Sequence, residues 1–289
     1  MPLPLVWLDG RLLPLAEARI SPLDRGFLFG DGVYEVLPVY GGRAYRFDEH
    51  LERLDRSLRE IRMPPALDHN GWLAAFGSLV HGNGGGDLLL YVQVTRGVEP
   101  ERNHVPRPGV RPTVFACVSP LPVIAASAIE RGVSAITAED LRWSRCDIKT
   151  VSLLANVLLR WQAADAGTTE SVLLRGGVLT EGSTSSAHVV MAGRLLTPPQ
   201  TNAILPGTTR SVLLELVARA GIPSERRPVT EAELRGADEI LIASAGGGIR
   251  AVSLLDGAPV GDGMPGPVFR KIHAGFQATI QEFSTTLPA

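Results

Sequence analysis

Lys149 is one of only two lysines, with Lys271, among the 28 basic side chains of the 289-residue chain. Arginine serves every other position that needs a positive charge. A lysine kept against that bias points to work a guanidinium cannot do, since an amine can shed its proton and attack a carbonyl carbon. The alternative is a solvated surface charge, the usual fate of a lysine. The surroundings favour the amine. A strand-like run, residues 133–137, precedes it, and an apolar run, residues 151–159, follows and is expected to be largely buried. Lys149 then lies at the lip of a packed element, where desolvation lowers an amine's pKa.

Weaker features gain meaning beside it. Pro206, Gly207, Thr208 and Thr209 open a helical pattern, where backbone N–H groups, two hydroxyls and the helix dipole can receive a phosphate. Taken alone they read better as a plain capped helix. Gly246, Gly247 and Gly248 follow a strand and let backbone approach a ligand, though a plain turn has the same composition. Arg53, early in an amphipathic helix, is by default solvated but able to neutralise a phosphate. Glu181, in a serine-rich loop after a strand, is a capping or surface acid or, if buried beside a ring nitrogen, an electrostatic anchor. A lysine, an acid, a phosphate cradle and no cluster of metal ligands together fit a pyridoxal phosphate enzyme working through a Schiff base.

Composition narrows the setting. Thirty acidic against 28 basic residues leave a formal net charge of −2, which offers no excess positive charge to a nucleic acid. Two cysteines, Cys117 and Cys146, make no disulfide framework and suit a reducing cytoplasm. The start lacks a basic region and meets Asp9 and Arg11 too soon for a signal peptide, and no apolar run approaches membrane-spanning length. A cytoplasmic protein without membrane or nucleic-acid partners is expected.

The elements that must position these residues are mostly strands. A hairpin is expected over residues 5–13 around Asp9 and Gly10. Residues 26–32 read as a loop, and 33–39 as a strand in which Pro38 suggests an edge or bulge. Asp48 is a candidate cap for a helix with the stripe Leu51, Leu54, Leu58 and Ile61, ended by Pro64 and Pro65. Further elements are a helix at 72–80, strands at 88–95 and 111–118, and a polar excursion at 97–106 between them. Pro120, Leu121 and Pro122 suggest a linker. Beyond it come the strand before Trp143, a helix to about 166, a hairpin across Gly176 and Gly177, a strand at 188–191, a helix with the stripe Val212, Leu213, Leu216 and Val217, a strand at 239–244, and a terminal helix from 268 towards 283. The alternation is irregular, so the fold class is α+β rather than doubly wound.

Several of these motifs occur in a familiar order. Asp24, Arg25 and Gly26 with residues 29–35, then 49–54, 145–149, 180–183 and 205–210, resemble the fold-type IV pyridoxal-phosphate-dependent (branched-chain aminotransferase-like) enzymes, and within that group the D-amino-acid aminotransferases. The likeness runs from about Trp7 to Phe276. It implies a homodimer of two-domain subunits with the cofactor between the domains: a smaller N-terminal α/β domain of residues 1–119, a linker at 120–127, and a larger barrel-like domain of residues 128–289. It implies that Lys149 is the Schiff-base lysine and proton shuttle, that Glu181 meets the pyridine nitrogen, that Arg53, Thr208 and Thr209 hold the phosphate, and that Leu205 backs the ring. It implies further that Tyr34 of one subunit, with Arg102 and His104 from the partner's loop, traps the substrate carboxylate.

Three departures from the family pattern bear on specificity. After Ser244 stands Ala245, where a threonine is common, so phosphate contact there is limited to backbone. Pro38 replaces a common lysine, and the Arg102 loop is one residue longer. Together they open the way to amines without a carboxylate. The reaction implied is transfer of an amino group from a D-alanine-like D-amino acid to a 2-keto acid such as 2-oxoglutarate. The rivals are an (R)-amine or branched-chain L-amino acid transaminase, an aminodeoxychorismate lyase, and a non-catalytic cofactor-binding protein.

Overall fold

The computed structural model describes residues 1–288. The chain forms two compact units: Met1–Pro122 with Ile148–Ser152 and the segment from Glu282 onward, and Val123–Asp147 with Leu153–Gln281. A single division at 120–127 would leave Lys149 in the C-terminal part. Instead its pentapeptide groups with the first unit.

In the first unit β1 (Leu5–Leu8) and β2 (Arg11–Pro14) pair as a hairpin. Asp9 and Gly10 take φ of 48° and 92°, the left-handed backbone such a two-residue turn requires. The stretch expected as a loop holds a short helix, α1 (Arg25–Phe29). Its Asp24 cap accepts from Gly26 N at 2.8 Å, and Gly30 ends it at φ 66°. Then come β3 (Gly32–Tyr40), β4 (Arg43–Tyr45), α2 (Phe47–Glu60), α3 (His69–Gly82), β5 (Leu88–Thr95) and β6 (Thr113–Pro120). The cap of α2 is Arg46 at φ 53°, not Asp48, which sits in the first turn where its charge suits the dipole. Leu51, Leu54 and Leu58 bury with Phe47, Trp72 and Phe76 against Leu37 and Leu90 of the sheet, each such side chain contributing about 1.5–3 kcal/mol of burial. Pro38 lies opposite Leu89, and β4 joins β3 only from Val39, so the missing N–H breaks no ladder on that side.

The second unit holds α4 (Ala126–Glu130), β7 (Val133–Glu139), α5 (Leu154–Asp165), β8 (Glu170–Arg175), β9 (Val178–Gly182), β10 (Ser186–Met191), β11 (Arg194–Thr197), α6 (Thr208–Arg219), β12 (Ser224–Arg226), α7 (Glu231–Arg235), β13 (Glu239–Ser244), β14 (Gly248–Leu255), β15 (Ala258–Pro259) and α8 (Pro267–Glu282). The chain then returns to the first unit as β16 (Ser284–Thr286), antiparallel to β4. The first sheet runs β16-β4-β3-β5-β6-β1-β2. The second runs β12-β11-β10-β13-β14-β7-β8-β9, with β15 on β14. Its Val172, Leu179, Ala187, Val189, Ile240 and Val252 share one apolar core.

β7 and β8 are parallel, so the chain between them must make a crossover, and this crossover carries Lys149 and α5. The apolar run after Lys149 is not buried as expected. Leu154, Val157, Leu158 and Trp161 are 73%, 53%, 49% and 64% exposed, and on α5 only Leu159 and Ala163 are buried.

Candidate active site

In the first unit Lys149 sits at the apex of a three-residue turn closed by Thr150 N to Ile148 O at 2.8 Å. Its carbonyl accepts from Tyr34 N at 2.9 Å, and its own N–H donates to Ser57 Oγ at 3.3 Å. Thr150 bridges to Val33 and donates through Oγ1 to Gly32 O at 3.2 Å. The backbone under the lysine is thus sewn to the start of β3 and to α2. Its Nζ lies 4.2 Å from the centre of the Tyr34 ring, which stacks in turn on Tyr91.

Arg53 is buried, only 7% exposed. Its Nε and Nη2 donate to the two oxygens of Glu35 at 2.6 and 2.7 Å, and His50 Nδ1 adds a contact to Glu35 at 2.8 Å. Burial alone would raise the Glu35 carboxyl, but Arg53 and His50 hold it well below the carboxylate range. Burial keeps His50 below its usual range, and the charges of Arg53 and Lys149 act the same way. Glu35 was missed in the sequence, yet a signal existed. It sits between Val33 and Leu37 on the buried face of an alternating strand, where a charge needs a partner.

Arg102 and His104 are exposed and gather on Phe29, with the Arg102 guanidinium 4.6 Å and the His104 ring 5.3 Å from its centre. The contacts of Tyr34 are with Tyr91 and Lys149 instead, so within one chain the carboxylate trap is not assembled. The loop is anchored from below by buried Arg25, which donates to Glu99 at 2.7 Å, to Asn103 O at 2.5 Å and to His104 O at 3.0 Å.

In the second unit Glu181 is part of β9 rather than a loop and is 6% exposed. One carboxylate oxygen accepts from Arg142 Nη1 and the other from Leu205 N at 3.0 Å. Burial pushes the carboxyl up, and these two donors offset only part of that. Arg142 also grips both oxygens of Asp140, at 2.8 and 2.9 Å, while Arg175 and Thr180 donate to Asp140 at 3.0 and 2.9 Å. Nothing in the spacing of Asp140 and Arg142 announces this network. Glu170 accepts from the hydroxyls of Ser183, Thr184 and Ser185, which shapes the turn after Glu181.

Gly207 caps α6 with no side-chain partner, so Thr208 and Thr209 open a twelve-residue helix at its positive end. Ser244 ends β13, and Ala245 follows it half-buried. A Cβ on Gly247 would meet Ser244 Oγ at 2.7 Å and Arg250 Nη2 at 2.9 Å, so glycine leaves both side chains where they are. Lys149, Tyr34 and Arg53 therefore lie in one unit, and Glu181, Leu205, Thr208, Thr209, Ser244 and Ala245 in the other.

The sequence profile of the amino-transferase class IV family matches residues 32–255. A D-alanine aminotransferase of Bacillus licheniformis is 38% identical over 275 residues, which cover 95% of this chain and 96% of that protein. Among solved structures, a branched-chain amino acid aminotransferase of Escherichia coli superposes with a TM-score of 0.91 at 22% identity over 99% of this chain and all of that one, a likeness of fold. A hypothetical aminotransferase from Mycobacterium tuberculosis in its PLP-bound form gives 0.83 at 27% identity over 96% and 99%. The family profile and the relative that matches 95% of this chain agree: this chain belongs to the class IV aminotransferases.

Proposed function

We propose that the protein is a pyridoxal-phosphate-dependent transaminase moving the amino group of a D-alanine-like D-amino acid to a 2-keto acid such as 2-oxoglutarate. The observation that carries this reading is the placing of Lys149. Lys149 is half-buried over the Tyr34 ring with its backbone tied to Tyr34 and Ser57, whereas Lys271 is exposed on α8 and donates to the Ala220 carbonyl. The other donors suit the cofactor. Glu181 is a buried carboxylate with acceptor capacity beyond Arg142 and Leu205. The start of α6 lacks a side-chain cap, as an anion site requires.

When bound, pyridoxal phosphate supplies a carbonyl that takes up the substrate's amino group and a ring that accepts the electrons left as the α proton departs. Lys149 Nζ would take that proton from the substrate Cα and deliver it to the carbon of the cofactor's carbonyl, and would run the same transfer in reverse with the keto acid. Tyr34 and Ser57 hold its backbone still, so only the side chain swings. Glu181 would keep a proton on the ring nitrogen and Leu205 would back the ring, while the Leu205 N–H fixes the carboxylate. By the family resemblance Arg53, its plane set by Glu35, would neutralise the phosphate, and Thr208, Thr209 and Ser244 would donate to it, with Ala245 offering backbone only. Tyr34 of one protomer, with Arg102 and His104 of its partner, holds the substrate carboxylate.

That trap needs a homodimer, and the exposed apolar face of α5, with Leu141 and Trp143 nearby in sequence at 73% and 50% exposure, supports one. No helix of the described residues is long and apolar enough to cross a membrane. Free Cys117 and Cys146 support a reducing cytoplasm.

The test is reduction of the coloured holoenzyme with borohydride, followed by peptide mapping. The cofactor is expected on Lys149. A label on Lys271, or no retained cofactor, would overturn the reading.

A further inference from the structure

The mechanism above leaves the Asp140–Arg142 pair without a task, although both lie beneath Glu181. The Arg142 side chain is 5% exposed and that of Asp140 is fully buried. The guanidinium spans two acids: Nε and Nη2 on Asp140, Nη1 on Glu181, with Nη2 also 3.3 Å from Ala203 O. Asp140 is locked by Thr180 and Arg175, so Arg142 cannot swing away from Glu181. Two donors, one charged and one a backbone N–H, therefore occupy one site on each Glu181 oxygen. A carboxylate has about four such sites. What remains is room for a further donor and none for a group that offers only a lone pair.

We propose that Arg142 is the positioning residue that fixes Glu181 as an ionised acceptor, and so decides on which side of the Glu181–ring nitrogen contact the proton resides. This rests on the reading that Glu181 faces the ring nitrogen. A buried carboxylate with only the Leu205 N–H for company would lower its energy by taking the proton itself, leaving the ring neutral. Arg142 opposes that by lowering the energy of the ionised form. Asp140 balances the guanidinium, so the pair does not expel the positive charge of a protonated ring. Arg210 is another cation whose field reaches Glu181, and it is committed to Thr197, Pro198 and Gln200.

The test compares two probes on apoprotein: pyridoxal 5′-phosphate and its 1-deaza analogue, in which carbon replaces the ring nitrogen. Titration by tryptophan fluorescence gives the ratio of the two dissociation constants for each variant. A general loosening of the site acts on both probes and cancels in the ratio. The parent is expected to favour pyridoxal phosphate by about tenfold or more, the factor a charged hydrogen bond commands. Arg142→Met is expected to bring the ratio to within about threefold of unity, and Arg142→Lys, which keeps the charge, to retain most of it. Should Arg142→Met not fold, Arg142→Gln loses the charge while keeping a donor and carries the same expectation. A parent-like ratio in Arg142→Met or Arg142→Gln overturns the proposal. No preference in the parent itself would instead sink the placing of Glu181, and this proposal with it.

Discussion

Glu181 and Arg102 stake out opposite ends of the chemistry, one fixed in the protein and one on an exposed loop. Glu181→Gln preserves shape and one acceptor oxygen but cannot hold a proton on a ring nitrogen. It is expected to retain cofactor and lose turnover by tenfold to several hundredfold, since a charged contact is worth about 1.5–3 kcal/mol and more where charge develops in the transition state. Single-turnover rates with D-alanine check this, and parent-like rates would return Glu181 to a structural role. Arg102→Ala is expected to raise KM for D-alanine and 2-oxoglutarate, by an amount on the order of 2–5 kcal/mol if the partner subunit closes the contact off from water. For (R)-1-phenylethylamine the same change is expected to be neutral or helpful, because no carboxylate has to be matched. Equal losses for both donors would make the loop a structural support. At this scale legibility followed chemical rarity. Lys149 stood out against 26 arginines, and Glu35 could have been found from its place on a buried strand face. Arg142 could not, because its partner Glu181 is 39 residues away and only the fold joins them.

Elements carry predictions of their own. Thr230 caps α7 in a reciprocal box with Glu233, which also pairs with Arg227 at 2.6 Å. Arg227 first, then the Thr230 N–H, holds the Glu233 carboxyl down at about 2. Thr230→Ala is expected to cost about 0.5–2 kcal/mol in urea denaturation. Beneath α6, fully buried His188 contacts Ser186 at 3.2 Å and Thr197 at 3.0 Å, and burial, with help from Arg210, depresses its pKa to about 3. The unfolded chain takes a proton on this ring near 6.5 and the folded chain does not. Its contribution is therefore full above pH 6.5 and is lost as pH falls towards 3. Between pH 6.5 and 5 the parent should lose about 1.6 kcal/mol more stability than His188→Gln, and matching pH profiles would refute the assignment. Turn chemistry made the hairpins readable, since Asp9-Gly10 and Gly176-Gly177 stand where φ is positive. Helical spacing revealed α5 but could not say what covers it, and α1 and β16 are too short to show a period.

For the molecule as a whole, the open question at α5 becomes a question of assembly. A variant carrying Val157→Glu with Trp161→Glu places two charges on the exposed apolar face and is expected to sediment as a folded monomer. A dimer unchanged at micromolar concentration would move the interface elsewhere. The prolines at 120 and 122 are visible in the sequence, but no compositional change marks Ile148 or Glu282, where the chain rejoins the first unit. Such returns are fixed by which sheet offers a partner, a long-range fact that local pattern does not contain.

The return at β16 also sets an order of events. Arg43 donates to Ser284 O at 2.5 Å across a separation of 241 residues, and Gly77 lacks the Cβ that would collide with Pro288 O. On a ribosome, the outer edge of β4 waits unpaired until the chain has been made through β16. An unpaired edge is a template for the wrong chain, and on a crowded polysome the nearest such chain is another copy of this one. A gene truncated after Glu282 still encodes Lys149, Glu181 and the start of α6, yet its product is expected in the insoluble fraction, because β16 serves the first sheet as a seal.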